Sequence, residues 1–444
     1  MVDASLTSGA PWYRSITNSQ WKTLLASNLG WMFDGYETFA LVLTAGVALR
    51  QLLEPSQYAQ IPAYLGTVFG ITLLGWGIGG MIGGVLADYV GRKRMMIIAI
   101  LAYSLMTGLS AVSWDWTSFV ILRFLVGIAI GSEWATGASM TAEVWPDHAR
   151  GKGAGLMQCG LGIGFFIASF AWLFISPIGP SAWRYMYLLG ILPALFTLWI
   201  RSGIAESGLW QRANEKRMAA LDRQQRGAAL SAEDQAMTRF TFVDLFAAPE
   251  MRRRTIVVFL MSLTTTLAWW GISTWIPQFI GSVAGRGGLP GPQWASYAGM
   301  CYTAGSIVGY ASFGFLADAF GRKPVTVAYM LLAIVVTPAL FLWAQGLQLM
   351  LFLAFLNGTF SNGLYSWMPV WLPELYPTRM RATAIAFAFN APRLIAFLGP
   401  LLTGQLIAYF GGFGHAATII SMIYLLGLAV VWFLPETRGK GLPA

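Results

Sequence analysis

The chain has 444 residues, of which 56% are hydrophobic and 11% charged, with a mean hydropathy of +0.60. A water-soluble domain carries roughly 25% charged residues, so a soluble fold is excluded and a polytopic all-α membrane protein is expected. The formal net charge of +9 does not indicate nucleic acid, because the basic residues are segregated by loop.

The first twenty residues are polar and contain Pro11 and Arg14. They lack an apolar stretch with a small-residue cleavage site, so no cleavable leader is expected. Twelve apolar runs follow, at about 24–49, 64–87, 95–113, 117–141, 153–176, 183–201, 255–281, 294–317, 325–345, 348–371, 382–409 and 414–434. Of the 28 Lys and Arg residues, 23 lie in the tails and in one set of alternate loops. Arg50, Arg184 and Arg286 fall in the other set, and Arg123 and Arg393 lie inside apolar runs. This asymmetry predicts a cell-membrane protein (the inner membrane if bacterial) with both termini cytoplasmic and basic loops touching anionic lipid.

The longest polar interruption, 202–254, is rich in Arg, Gln, Glu and Ala. It reads as a connector on the membrane face between an N-terminal bundle, 1–201, and a C-terminal bundle, 255–444. Cys159 and Cys301 lie in apolar runs and read as small hydrophobes. His148 and His415 fall in short loops. No nucleophile–base set or metal spacing is present, so neither an enzyme nor a metal cofactor is expected.

The chain repeats itself. Gly84-Val85-Leu86-Ala87-Asp88-Tyr89-Val90-Gly91-Arg92-Lys93 recurs as Gly314-Phe315-Leu316-Ala317-Asp318-Ala319-Phe320-Gly321-Arg322-Lys323, at an offset of 230. Glu143-Val144-Trp145-Pro146 followed by Arg150 recurs as Glu374-Leu375-Tyr376-Pro377 followed by Arg381, at an offset of 231. Two matches in one order predict two six-helix halves of like orientation. A site between them near the midplane, reached alternately from either side, is expected of such a repeat.

The G-x-L-A-D-x-x-G-R-K motif resembles the signature of the major facilitator superfamily, and its presence in both halves extends the resemblance over the whole chain. The closing Pro435–Lys440 looks like the end of sugar-porter-type members. Asp-Gly-Tyr-Glu in the first run resembles the sialate:proton symporters and related metabolite:proton and aromatic-acid:proton symporters. So do Arg123–Trp134 in the fourth run, Glu143–Lys152 after it, and Phe389–Arg393 in the eleventh. The second acid of the first run is Glu37 where those families have Asp, and the paired glutamines of true sugar porters are absent. The resemblance implies that Gly84, Asp88, Gly91, Arg92, Lys93, Glu143 and Arg150, with Asp318, Gly321, Arg322, Lys323, Glu374 and Arg381, make gating contacts at the cytoplasmic face.

Five charges inside the apolar runs have no counterpart in the other half. Asp34 and Glu37 map to Thr264 and Leu267, Arg123 to Ala354, Glu133 to Leu364, and Arg393 to Gly162. Scaffold can be shared between repeats; a charge present once needs its own reason, because ionisable groups at that depth are costly. Asp34 and Glu37 share a helix face. At 1.5 Å per residue, Glu37 and Arg123 differ in depth by roughly 6 Å, so Arg123 is expected to pair with Glu37 or Asp34.

Asp34 is expected to carry the coupling proton with Glu37 as its neighbour, the two titrating together. Glu133, about 15 Å along the helix from Arg123, is open between a second proton site and a partner for a helix-end cation. Arg393 is the expected anion hook, through its bidentate fork, with Asn390 beside it; the bland alternative is that it bonds backbone carbonyls freed near Pro392. Trp270, Tyr365, Tyr302 and Gln158 are further candidate cavity residues, while some of the aromatics of the seventh and tenth runs, which include Trp269, Trp275, Trp367 and Trp371, suit an interfacial belt or a lipid-facing surface. The expected activity is proton-coupled uptake of a small organic anion by a monomer: a sugar acid, sialate-like acid, monocarboxylate or aromatic acid. A neutral-sugar or polyol porter, a drug-efflux carrier and a transporter-like sensor remain alternatives.

Overall fold

Thr17 and Gln20 start the first long helix. The Thr17 side chain accepts the Gln20 backbone N–H, and the Gln20 side chain accepts the Thr17 N–H, so two orphan donors of the first turn are satisfied. Asp115 and Ser118 do the same for the fourth helix. The computed structural model describes residues 11–273, 276–398 and 413–443, which build an all-α protein. In the first half the helices are α1 (Asn18–Leu52), α2 (Ile61–Val90), α3 (Arg92–Ser110), α4 (Trp116–Val144), α5 (Arg150–Ile175), α6 (Ala182–Leu189) and α7 (Pro193–Gly203). The connector forms α8 (Gly208–Gln225), α9 (Ala232–Thr238) and α10 (Thr241–Ala247). The second half holds α11 (Pro249–Ile272), α12 (Ile276–Arg286), α13 (Gly291–Phe320), α14 (Arg322–Pro338), α15 (Leu347–Asn357), α16 (Trp367–Leu375), α17 (Arg381–Asn390), α18 (Arg393–Ala396), α19 (Phe413–Ser421) and α20 (Ile423–Val430).

Helix α3 shows why these helices sit in lipid. Ile98, Leu101, Leu105 and Leu109 form an exposed apolar stripe at helical spacing. The opposite face buries Ala99, Tyr103, Ser104, Thr107 and Gly108. Small and polar residues therefore face the bundle, where close approach and hydrogen bonding hold membrane helices together.

Among the described residues, ten helical spans are long and apolar enough to cross a bilayer. The two remaining runs are broken rather than continuous. The sixth divides into α6 and α7 at Pro193, and the eleventh divides into α17 and α18 at Pro392, because proline lacks the N–H that continues the ladder. Residues 399–409 of the eleventh run, and Trp275, lie outside the described residues. The tenth run is also irregular: α15 passes through a π-turn, Gly358–Asn362, and a 3₁₀ turn, Gly363–Ser366, before α16.

The halves meet through equivalent surfaces. The most extensive cross-half packing sets α13 on α5 and α17 on α2, pairs related by the repeat. A Cβ on Gly84 would lie 2.0 Å from the Ala386 Cβ, and one on Gly314 would lie 2.2 Å from the Gly151 carbonyl oxygen, so the motif's first glycine sets the approach in both halves. Gly91 and Gly321 turn the chain between consecutive helices at φ 110° and 104°, with ψ 152° and 162°, a region essentially confined to glycine. Gly91→Ala and Gly321→Ala are each expected to destabilise the protein by about 1–3 kcal/mol, read as a lower thermal unfolding midpoint of the purified protein. An unchanged midpoint for both would remove the turn requirement.

Candidate functional site

The motif residues expected to gate converge on one face, which carries the basic loops. Asp88 pairs with Arg92 at 2.8 Å, Arg92 reaches Glu143 at 3.2 Å, and Glu143 reaches Arg381 of the other half at 3.1 Å. The second copy matches it: Asp318 pairs with Arg322 at 3.2 Å, Arg322 with Glu374 at 2.7 Å, and Glu374 with Arg150 of the first half at 3.4 Å. Each motif aspartate also crosses the seam to the start of a helix. Asp88 accepts the Thr383 backbone N–H at 2.9 Å and its hydroxyl at 2.6 Å. Asp318 accepts the N–H groups of Gly151 and Lys152 at 3.2 and 3.0 Å. A carboxylate suits the positive end of a helix dipole, so each half caps a helix of the other. Lys93 and Lys323 lie at the edge of these networks; the Lys93 N–H is held by Glu206 at 3.1 Å, and the Lys323 ammonium donates to the Trp432 carbonyl at 3.3 Å.

Two functional positions escaped the sequence reading. Glu206 accepts the Lys93 N–H at the start of α3, and Glu436 accepts the N–H groups of Arg322 and Lys323, both at 3.0 Å, at the start of α14. The neighbouring hydroxyls follow suit: Ser207 donates to Glu143, and Thr437 donates to Glu374. Burial alone would raise the Glu436 carboxyl, yet its backbone N–H donors hold it below the ordinary range. Glu206-Ser207 and Glu436-Thr437 are themselves 230 apart, so the repeat offset contained the signal. The connector adds a clamp across the seam, as Arg217 donates to the carbonyls of Asp88 and Arg379 at 2.7 and 2.9 Å.

The intramembrane charges separate into three sites. Arg123 pairs with Glu37, one of the two acids expected for it. Its guanidinium also donates to the Ser110 hydroxyl at 2.6 Å and lies 4.5 Å from the Tyr187 ring centre. Glu37 and Arg123 line a cavity with Trp76, Ile130 and, from the other half, Trp270. The cavity offers about 20 Å³ to the centres of water molecules, room for roughly one water.

Asp34 does not reach Arg123. Its carboxyl faces that of Glu133 on α4, and both residues are fully buried. Glu133 therefore partners an acid, not the helix-end cation held open above. Among the described residues, no ion pair involves either group, and none of their four oxygens has another hydrogen-bond partner.

Arg393 is 3% exposed. It donates to the Phe389 carbonyl, the backbone bond anticipated beside Pro392, and is otherwise flanked by aromatic rings: Phe389 at 3.8 Å and Trp76 at 4.7 Å from the guanidinium carbon. Trp76 belongs to both this box and the cavity wall, so a single indole separates Arg393 from the cavity. Asn390 is wedged into α2: a Cβ on Gly80 would lie 2.2 Å from its side chain, and it donates to the Ala386 carbonyl at 2.9 Å. Gln158 accepts the Trp134 indole N–H at 3.0 Å, and Tyr302 accepts that of Trp269 at 3.0 Å. Tyr365 packs edge-on against Trp269 and Phe389, while Trp134 stacks on Phe389 at 3.7 Å between ring centres. Trp367 and Trp371 are fully buried within the second half, not in an interfacial belt.

Residues 22–444 match the family described as "Sugar (and other) transporter". The chain is 26% identical over 427 residues to a sialic acid transporter of Escherichia coli (strain K12), covering 96% of each. It is 26% identical over 376 residues to the cis,cis-muconate transport protein of Acinetobacter baylyi, covering 84% of this chain and 86% of that one. A solved structure of a proton:xylose symporter bound to 6-bromo-6-deoxy-D-glucose superposes with a TM-score of 0.76 at 22% identity, covering 96% of this chain and 98% of that one.

The buried Glu37–Arg123 pair makes its own prediction. Arg123→Met strands a buried acid and is expected to cost about 3–5 kcal/mol. Adding Glu37→Gln to it should recover most of the loss, as thermal unfolding of the purified variants would register; no recovery would mean that the pair does not hold the two helices.

Proposed function

Because the chain belongs to the sugar (and other) transporter family of the major facilitator superfamily, we propose for it a secondary active transport function: uptake of a small organic anion coupled to protons. The membrane-spanning fold carries cargo and performs no chemistry on it. In this reading the basic loops and both termini face the cytoplasm, and the bundles 1–201 and 255–444 rock about the seam, with 202–254 as their strap. The reciprocal carboxylate network is closed on the cytoplasmic side and must break for that side to open. Contacts made in one facing state and lost in the other set the balance between the two.

Arg393 carries the anion assignment. It is a buried cation one indole away from the cavity, among the described residues it makes no ion pair with an acid, and a neutral sugar offers it nothing to neutralise. Its fork suits a carboxylate. The rings around it, Trp31, Trp76, Trp134, Tyr365 and Phe389, are rich in flat apolar surface, with the Trp31 and Trp76 indole N–H groups and the Tyr365 hydroxyl left over as donors among the described residues. That lining favours a planar unsaturated or aromatic carboxylate, which can stack on the ring faces. The cis,cis-muconate and sialic acid relatives support an acidic cargo. The cavity, with room for about one water, must widen before cargo enters, and Trp76 and Trp270 are the side chains that would part.

Counterflow in proteoliposomes with a panel of aromatic acids, sugar acids and neutral sugars tests the proposal. Acids should exchange, and an acid outer medium should drive their accumulation. Exchange of neutral sugars alone, indifferent to pH, would replace it with the sugar-porter reading that Pro435–Lys440 suits.

Two variants refine the test. Arg393→Gln should weaken acid binding about tenfold to a hundredfold, the worth of a charged hydrogen bond of about 1.5–3 kcal/mol. Arg92→Ala should slow transport while leaving acid affinity intact; lost binding with normal cycling would remove Arg92 from the gate.

A further inference from the structure

We infer that Asp34 and Glu133 act as one unit, a carboxyl–carboxylate pair that holds a single proton between them, while Glu37 stands apart as the fixed counter-ion of Arg123. The inference rests on the proton-coupled reading above and assigns the proton's place within it.

The geometry begins at Gly30. A Cβ there would lie 2.1 Å from a carboxyl oxygen of Glu133, so the Glu133 side chain from α4 occupies a notch in α1. Asp34 is one turn further along the same face of α1, and the two carboxyls meet. Both are fully buried, and among the described residues none of their four oxygens has a hydrogen-bond partner.

The charged and titratable neighbours are few. On α1 the pair faces Glu37, whose own charge is answered by Arg123. From α3 it faces Tyr103, whose hydroxyl is buried and also lacks a hydrogen-bond partner. Arg123, on the same helix as Glu133, lies ten residues away and is engaged with Glu37. Two ionised carboxylates side by side without a cation repel strongly in a water-poor interior. They also have four acceptors and no donor. One proton between them removes one of the two charges and supplies the missing donor, so it answers both defects together. The proton enters from bulk water when the pair is wetted from one side. It returns to water when the pair is hydrated from the other, where two separately solvated carboxylates no longer need to share it.

This division gives the three acids different duties. Glu37 keeps Arg123 neutralised throughout, and the Asp34–Glu133 pair titrates. Gly30 is the structural requirement, because any side chain there would push Glu133 out of the notch.

Infrared difference spectroscopy of the purified full-length protein, titrated with acid and base, reads the protonated carboxyl directly. The expected result is a protonated-carboxyl band equivalent to one group per chain at neutral pH. It should be lost in both Asp34→Asn and Glu133→Gln and retained in Glu37→Gln. Cooperative thermal unfolding, measured on the same preparations, shows that the variants are folded. Where a variant cannot be purified, the wild-type spectrum decides, since absence of any such band at neutral pH overturns the pair.

Loss of the band in Glu37→Gln but not in Glu133→Gln overturns it as well. So does a wild-type band that disappears when sodium is added at constant pH, which would make the pair a cation site. If wild-type vesicles accumulate no acid under a pH gradient while the band behaves as expected, the coupling reading fails and the shared proton stands. If accumulation is normal and the band survives in Glu133→Gln, the reverse holds.

Discussion

Each half of this molecule supplies the cap for a helix of the other. Asp88 terminates α2 and accepts hydrogen bonds from Thr383 at the start of α17; Asp318 terminates α13 and accepts them from Gly151 and Lys152 at the start of α5. The first backbone N–H groups of a helix have no partner within it, and in a membrane protein few waters reach a packed seam. The reciprocal caps therefore hold the halves together only in the closed arrangement. Everything else on that face elaborates the exchange, from the arginines that brace each aspartate to the glutamates that link them across the seam and the tail residues that fill behind. Because the arrangement is duplicated, the opening that the proposed function requires would break two caps at once, which favours a two-state face over a gradually leaky one.

Against this shared scaffold the intramembrane charges stand out as unshared. They fall into a neutralised pair, an acid–acid pair and a solitary arginine boxed by rings. The three environments differ in their charge balance: the first is neutralised, the second sets two acids together without a donor, and the third lacks an anion. On the proposed function, the proton answers the second and the cargo the third.

Much of the fold was legible because its information is local and repeated. The ten-residue motif occurs twice in contiguous form, so the two halves, the facing glycines and the gating charges follow from one offset. The asymmetry of Asp34, Glu37, Arg123, Glu133 and Arg393 follows from the same comparison. What stayed hidden depends on rotation and on short matches. Depth along a helix axis brought Arg123 to Glu37, but it carries no information about which faces of α1 and α4 oppose each other. The meeting of Asp34 with Glu133 hinges on the absent side chain of Gly30, which a sequence shows only as one glycine among 50. Glu206-Ser207 and Glu436-Thr437 match over two residues inside otherwise dissimilar segments, too little to notice without the first pair of motifs as a ruler. Pro193 and Pro392 were visible, yet a hydropathy average runs smoothly across them while the backbone does not.

The cavity between Trp76 and Trp270 has a consequence for electrical insulation. A column of several hydrogen-bonded waters would let protons hop past the helix-1 acids and discharge the gradient without moving cargo. Space for about one water is too little for such a column, although the wall carries Glu37, Thr38, Thr72 and Arg123 beside its indoles. On the proposed function, how far this space widens and wets as the halves move decides how much of the ion gradient escapes without cargo.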